Sequence, residues 1–342
     1  MIDRILLFFT ALFLGGLLVS LHLPIPFLLG GLATSLLYKT FASGGVSWPK
    51  KWREYGLMIA GYGIGSNFNV AAWQNFLKEI VGITESTAVI MVVSFVIAVI
   101  TARMTKADLQ SCVMGMLPGG ITMTMLLAEE DKRVNPNIVA VMQIMRLLGV
   151  VISVPFLVIL LLNARVGSIV PPVNPQATHW LILLPLTILG GFVAKKIHMP
   201  TAAFLGSIIA TSIFSISVNS VQSVPFWLMS PAQVSIGLFM GMQLDSASLS
   251  KTKRILPFVF LGTAVLVTVS VFMANFLAVR YNFSLATAFL ALAPGGIAEM
   301  ALAGMSMGED VSIILVYQMA RLLAINIFVP PLLKAYFGKA PN

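Results

Sequence analysis

The chain repeats itself. Under a shift of 176 positions, His22-Leu23-Pro24 falls on His198-Met199-Pro200, Gly30 on Gly206, and the pair Gly61 and Gly65 on Gly237 and Gly241. The same shift lays Thr87-Ala88-Val89 on Thr263-Ala264-Val265, and Pro118-Gly119-Gly120-Ile121 on Pro294-Gly295-Gly296-Ile297. After a one-residue deletion, Gln143-x-x-Arg146-Leu147-Leu148 meets Gln318-x-x-Arg321-Leu322-Leu323, and Pro155 meets Pro330. Shared hydrophobicity does not align prolines, glycines and arginines in constant order, so the chain reads as two copies of one unit. The first copy spans 1–165 and the second 179–342. Between them lies 166–178, an extended linker holding Pro171, Pro172 and Pro175.

Composition decides what surrounds such a unit. Hydrophobic residues make up 58% of the chain and charged residues 10%, whereas a soluble domain is about a quarter charged. The apolar residues come in continuous blocks of about 20, the length of a membrane-crossing helix. The alternating segments of about ten that mark a transmembrane barrel are missing from the pattern. The expected fold class is therefore an all-α polytopic membrane protein. Copy one holds six apolar elements, 5–21, 26–38, 55–73, 83–102, 107–129 and 137–162, and the series recurs over 181–333. The first element follows Met1-Ile2-Asp3-Arg4 without a small-residue cleavage pattern and reads as a span, not a removed signal peptide.

The formal charge of +9 does not point to nucleic acid, because the basic residues sit in short clusters between apolar blocks. Their positions differ between the copies. In copy one Lys39, Lys50, Lys51 and Arg53 lie between elements two and three, while 216–224 at the equivalent joint of copy two is uncharged. Copy two instead places Lys195 and Lys196 between elements one and two, and Lys251, Lys253 and Arg254 between three and four. Basic loops stay cytoplasmic, so a shift by one joint sets the copies in opposite senses, which requires an odd number of crossings in each. The fifth element, split by Pro118-Gly119-Gly120 or Pro294-Gly295-Gly296, is the natural exception. Each half of about 11 residues reaches about 16 Å, enough to arrive near the bilayer centre and turn back. Two inverted repeats with about ten spanning helices, two re-entrant hairpins and cytoplasmic termini are expected. A rival arrangement fuses elements one and two and lets the broken helix cross. Both put the two breaks near the bilayer centre.

Irregular backbone is not tolerated against lipid, so the breaks must be buried in protein or line a polar cavity. Inverted repeats with discontinuous helices are the usual architecture of secondary transporters. Amides freed after Gly119, Gly120, Gly295 and Gly296 begin new helices and attract an anionic group; a plainer reading makes each break a kink in a packing helix. Thr122 and Thr124 follow the first break, and Glu299 follows the second. A carboxylate at such depth costs about 2.5 to 3.5 kcal/mol if charged, so Glu299 is either a proton or sodium coupling site or part of a structural ion pair. Arg146 and Arg321 lie some ten residues into the sixth elements, each preceded one turn earlier by a glutamine, Gln143 or Gln318. Two deep guanidinium groups suit a carboxylate-bearing substrate; alternatively they hold carbonyls freed at the breaks. Gly61-x-Gly63-x-Gly65 resembles a phosphate loop but suits close helix packing better.

A duplicated Pro-Gly-Gly element followed by Gln-x-x-Arg-Leu-Leu, over essentially the whole chain, resembles the bacterial AbrB-type membrane protein family, whose members carry two copies of one membrane domain. Proteins of that family are often labelled ammonia monooxygenases or membrane regulators of gene expression, and the family looks related to the cation:proton antiporter and anion transporter group. The resemblance implies roles for Pro118, Gly119, Gly120, Gln143 and Arg146 in copy one, and for Pro294, Gly295, Gly296, Glu299, Gln318 and Arg321 in copy two. Where the family commonly has histidine before the arginine, both copies here have glutamine. No cluster of His, Asp, Glu or Cys has metal-ligand spacing, so the oxygenase label finds no support and neither an enzyme activity nor a cofactor is expected. The expected function is secondary transport of a small organic anion, coupled to protons or sodium, in the bacterial inner membrane. The alternative is a membrane-embedded regulator that binds a ligand without net transport. Homodimers are common among such folds, so a second copy joins the anionic substrate, the coupling ion and the lipid bilayer as an expected partner; nucleic acid does not.

Overall fold

The computed structural model describes residues 2–41, 46–66, 70–120, 124–125, 128, 133–162, 180–199, 201–218, 224–244 and 246–337. Fourteen helices make up the regular structure of these residues. In copy one they are α1 Ile2–Ser20, α2 Pro26–Phe41, α3 Lys50–Gly65, α4 Val70–Thr105, α5 Leu109–Met116 and α6 Pro136–Leu162. In copy two they are α7 Trp180–Lys196, α8 Ala202–Val218, α9 Phe226–Met242, α10 Ser246–Lys251, α11 Leu256–Tyr281, α12 Leu285–Leu292, α13 Ile297–Met307 and α14 Val311–Phe337. Among the described residues five stretches are long and apolar enough to cross a membrane: α1, Glu79–Thr105 of α4, Pro136–Leu160 of α6, α11, and Val311–Val329 of α14. The linker 166–178 and Thr122 lie outside the described residues.

The duplication is visible in the backbone itself. His22, Ile25 and Lys106 have positive φ angles of 54°, 44° and 58°, and their partners under the 176-residue shift, His198, Thr201 and Asn282, have 57°, 47° and 58°. Left-handed backbone is uncommon for residues with a side chain, so three matched pairs mark the same turns made twice. Caps repeat as well: Asp108 accepts a hydrogen bond from Ser111 N at 2.6 Å to start α5, and Ser284 accepts one from Thr287 N at 2.9 Å to start α12.

One boundary departs from the sequence reading. The third element, expected over 55–73, closes at Gly65, where Ser66 N donates to Tyr62 O and Ser66 Oγ to Gly63 O. Trp73 falls instead in α4, which runs unbroken to Thr105.

Compactness divides the chain along a different line from the repeat. Unit 1 comprises Met1–Asn75, Asn163–Gln243 and Ala301–Ser312; unit 2 comprises Phe76–Leu162, Leu244–Met300 and Ile313–Asn342. The first three elements of both copies thus build most of unit 1, joined by 301–312, and the later elements of both, with α14 from Ile313, build unit 2.

Unit 1 packs copy against copy. α2 lies on α9 and α3 lies on α8, contacts that exchange under the shift, as do α1 on α2 and α7 on α8. Glycines permit the approach. A Cβ on Gly61 would stand 2.8 Å from Phe204 O, and one on Gly65 2.7 Å from Ile208 O; Gly237 and Gly241 meet Leu28 O and Ser35 in the same manner. The glycine series of α3 therefore serves helix packing. A second cluster, Leu7, Ala11, Phe27, Trp48, Val234 and Leu238, fills the space beneath α1, with Trp48 Nε1 donating to Ser235 Oγ at 3.0 Å.

In unit 2, α5 packs on α6, α12 packs on α11 and α6, and α11 on α6. Buried Ile97, Ala98, Cys112, Val113, Met116, Met142, Val259, Leu266 and Ile325 form its core. Both breaks lie here. The helices leading into them, α5 and α12, are eight residues long, about 12 Å at 1.5 Å per residue, well short of the hydrocarbon thickness.

Candidate functional site

The two breaks begin alike and diverge at their second glycine. The chain leaves α5 at Leu117 (φ −69°, ψ 129°) and α12 at Ala293 (φ −51°, ψ 134°), conformations forced on a residue that precedes proline. A tight turn over the proline follows, with Gly119 N donating to Leu117 O at 2.9 Å and Gly295 N to Ala293 O at 2.8 Å. Gly120 then adopts φ +87°, open to glycine at little cost. Chain direction resumes with Thr124 N on Gly120 O at 3.3 Å in one copy and Met300 N on Gly296 O at 3.1 Å in the other.

Ending a helix inside a hydrophobic body strands its last carbonyls, and the two glutamines take them up. Gln143 Nε2 donates to Met114 O at 2.7 Å and to Leu117 O at 3.4 Å; Gln318 Nε2 donates to Leu290 O at 2.9 Å and Ala293 O at 3.0 Å. These pairs are equivalent under the shift. Gln143 Nε2 also lies 2.9 Å from Thr124 Oγ1, whose hydroxyl donates to Gly120 O at 2.8 Å.

The arginines break the equivalence. Arg321 stays with its own copy: Nη1 donates to Leu292 O at 2.8 Å and Ala293 O at 3.0 Å, Nη2 to Gly295 O at 3.4 Å and to Gln318 Oε1. Arg146 reaches the other copy, its Nη1 donating to Pro294 O at 2.8 Å. Both guanidinium groups therefore converge on 292–295. Each arginine is 4% exposed, and the Nε of each has no hydrogen-bond partner among the described residues. Of the two readings drawn from sequence, grasp of freed carbonyls is what these contacts display. Arg321 is committed to it, while among the described residues Arg146 has one acceptor, Pro294 O, for its five N–H donors.

The breaks also pack crosswise. A Cβ on Gly119 would meet Ile325, and one on Gly120 would lie 3.5 Å from Leu322, both on α14; a Cβ on Gly295 would lie 3.0 Å from Val150, and one on Gly296 3.4 Å from Leu147, both on α6. Adjacent α14 residues, Arg321 and Leu322, thus touch different breaks, which places the two breaks side by side within unit 2. Glu299, also 4% exposed, is the third residue of α13, and its Oε2 lies against Gly296. A glutamate at this position stabilises a helix start by reaching back toward the cap and opposing the dipole. Thr122 is outside the described residues; every other residue singled out from sequence, Gly119, Gly120, Thr124, Gln143, Arg146, Gly295, Gly296, Glu299, Gln318 and Arg321, is in this one neighbourhood.

Sequence reasoning passed over a pair of serines. Ser270 of α11 donates to Leu266 O at 2.8 Å and to Leu292 O, on the second break, at 3.4 Å. Its shift partner Ser94 of α4 is fully buried, and its Oγ has no hydrogen-bond partner among the described residues. The same 176-residue comparison would have found them.

Comparison with known proteins places this geometry in context. The model of a family described as transition state regulatory protein AbrB matches residues 27–337. "Uncharacterized protein YhjN" of Bacillus subtilis (strain 168) is 28% identical over 303 residues, 82% of this chain and 78% of its own length. "Putative regulator AbrB" of Escherichia coli (strain K12) is 22% identical over 333 residues, 95% of this chain and 93% of its own.

Proposed function

The chain belongs to the AbrB family, and from the two adjoining breaks of unit 2 we propose that it is a secondary active transporter of a small organic anion. The observation that carries this reading is the convergence of two buried guanidinium groups on one break, with Arg146 retaining donors for a carboxylate. Two arginines against one glutamate leave net positive charge in a space of low dielectric, where an anion is strongly favoured. In this account Arg321 fixes the break, Arg146 receives the substrate, and proton or sodium movement drives the cycle. The copies lie inverted in the bilayer, with about ten spans, cytoplasmic termini and the breaks near the bilayer centre, so that the site opens alternately to either side. Residence in the bacterial inner membrane, as a homodimer, completes the proposal.

A second reading is favoured by the name of the Escherichia coli relative: a membrane-embedded regulator that binds the same anion without net transport. Both readings need the anion. A screen of organic anions against the melting temperature of purified protein tests the shared premise, repeated with Arg146→Ala and Glu299→Gln. At least one anion should stabilise the parent, by about 2.7 kcal/mol at a hundredfold excess over its Kd, and stabilise Arg146→Ala far less. No stabilisation by any anion, or equal stabilisation of parent and variants, sinks the site.

A further inference from the structure

We propose that the first break holds a second, separate site, one for a monovalent cation such as sodium, formed by Met116 O, Leu117 O, Gln143 Oε1 and Ser94 Oγ. It rests on the transporter reading only for what the ion would drive, not for whether the ion binds.

The inference comes from comparing the two breaks atom by atom. At the second break a positive group is seated: the Arg321 guanidinium bridges Leu292 O, Ala293 O and Gln318 Oε1. Under the repeat, those three acceptors correspond to Met116 O, Leu117 O and Gln143 Oε1. Gln143 is held by the same two backbone bonds as Gln318, so its amide has the same orientation and its Oε1 faces the equivalent position. Arg146, however, donates to Pro294 O in the other copy. Gln143 Oε1 consequently has no hydrogen-bond partner among the described residues, although the residue is 1% exposed. Ser94 Oγ shares that condition, whereas its counterpart Ser270 bonds toward Leu292 O. Two buried oxygens without a hydrogen-bond partner among the described residues thus occupy positions equivalent, under the repeat, to Gln318 Oε1 and Ser270 Oγ, which flank the seated Arg321 guanidinium.

The ligand chemistry narrows the class. Two carbonyls, an amide oxygen and a hydroxyl are hard and uncharged, and the carboxylates that a divalent ion demands are missing from this set. The carbonyl end of α5 adds the negative pole of a helix, the setting in which discontinuous helices coordinate sodium. The consequence is a linkage. By the example of Arg321, the Arg146 guanidinium fits its own break if it leaves Pro294, so an ion at the first break keeps Arg146 on the second, where the anion is received.

The test is binding of radioactive sodium to purified full-length protein without any anion, at constant ionic strength set with choline. Saturable binding is expected; Ser94→Ala should weaken it about tenfold, the worth of one good polar ligand, and Arg146→Ala should tighten it by removing the competing cation. A purely structural Arg146 would not give tightening. Absence of saturable binding by folded parent protein overturns the site, as does binding unchanged in Ser94→Ala yet abolished by Glu299→Gln, which would put the ion on the carboxylate. Anion uptake without sodium binding also overturns the site and leaves the carrier standing; sodium binding without uptake leaves the site standing and sinks the carrier.

Discussion

The two arginines look equivalent in sequence, and the structure makes them unequal; stability should register the difference. Among the described residues Arg321 holds four acceptors, Leu292 O, Ala293 O, Gly295 O and Gln318 Oε1, and Arg146 holds one, Pro294 O. Replacing either with methionine removes a buried charge, which relieves a desolvation cost. That relief is similar for both, because both are 4% exposed, and it cancels in a comparison. What remains is three further polar contacts at roughly 0.6 to 1.5 kcal/mol each, the lower figure being the membrane average. Arg321→Met should therefore be less stable than Arg146→Met by about 1.8 to 4.5 kcal/mol. Reversible unfolding in mixed micelles, read by circular dichroism, measures both. Equal stabilities, or Arg146→Met the weaker of the two, would refute the unequal division of labour.

Further outcomes follow from local geometry. Gly237→Ala should cost about 1 to 3 kcal/mol because a Cβ would strike Leu28 O, whereas Gly16→Ala, with nothing within 4 Å, should be neutral or gain up to about 1 kcal/mol; paired unfolding curves separate them. Gly120→Ala, forced to φ +87°, should lose about 1 to 2 kcal/mol and lower uptake more than Gly16→Ala does. Breaking the half-exposed Arg280–Glu85 pair, 2.9 Å apart, by Glu85→Gln should change the melting temperature little, in keeping with under about 1 kcal/mol for an exposed pair. Labelling of single cysteines placed at Lys50, Asn219 and Lys253 should show Lys50 and Lys253 on one face and Asn219 on the other; a common face for Lys50 and Asn219 would remove the inversion.

Which residues gather at the two breaks was legible because the chain states them twice. Proline, two glycines, glutamine and arginine at repeating positions could be found by self-comparison, and burial of a broken helix follows from the cost of unsatisfied backbone. Three things were not legible. Arg146 and Arg321 occupy equivalent sequence positions, so no pattern distinguishes the one that reaches the other copy from the one that stays. The grouping of elements into units depends on close helix approach across copies, such as Gly61 against the backbone carbonyl of Phe204, and hydropathy is blind to it. The end of α3 at Gly65 falls inside the stretch 55–73 that hydropathy reads as one apolar element. Ser94 and Ser270 were within reach of the same comparison, but an isolated serine in an apolar helix usually bonds to its own preceding turn and draws no notice.

Uptake of a labelled organic anion into proteoliposomes reaches the central claim most directly. With an anion that stabilises the purified protein, an imposed inward sodium or proton gradient should drive accumulation above equilibrium, and Arg146→Ala in the same vesicles should abolish it. If the anion binds and yet no gradient moves it across the bilayer, the protein is not a carrier and the regulator reading takes its place.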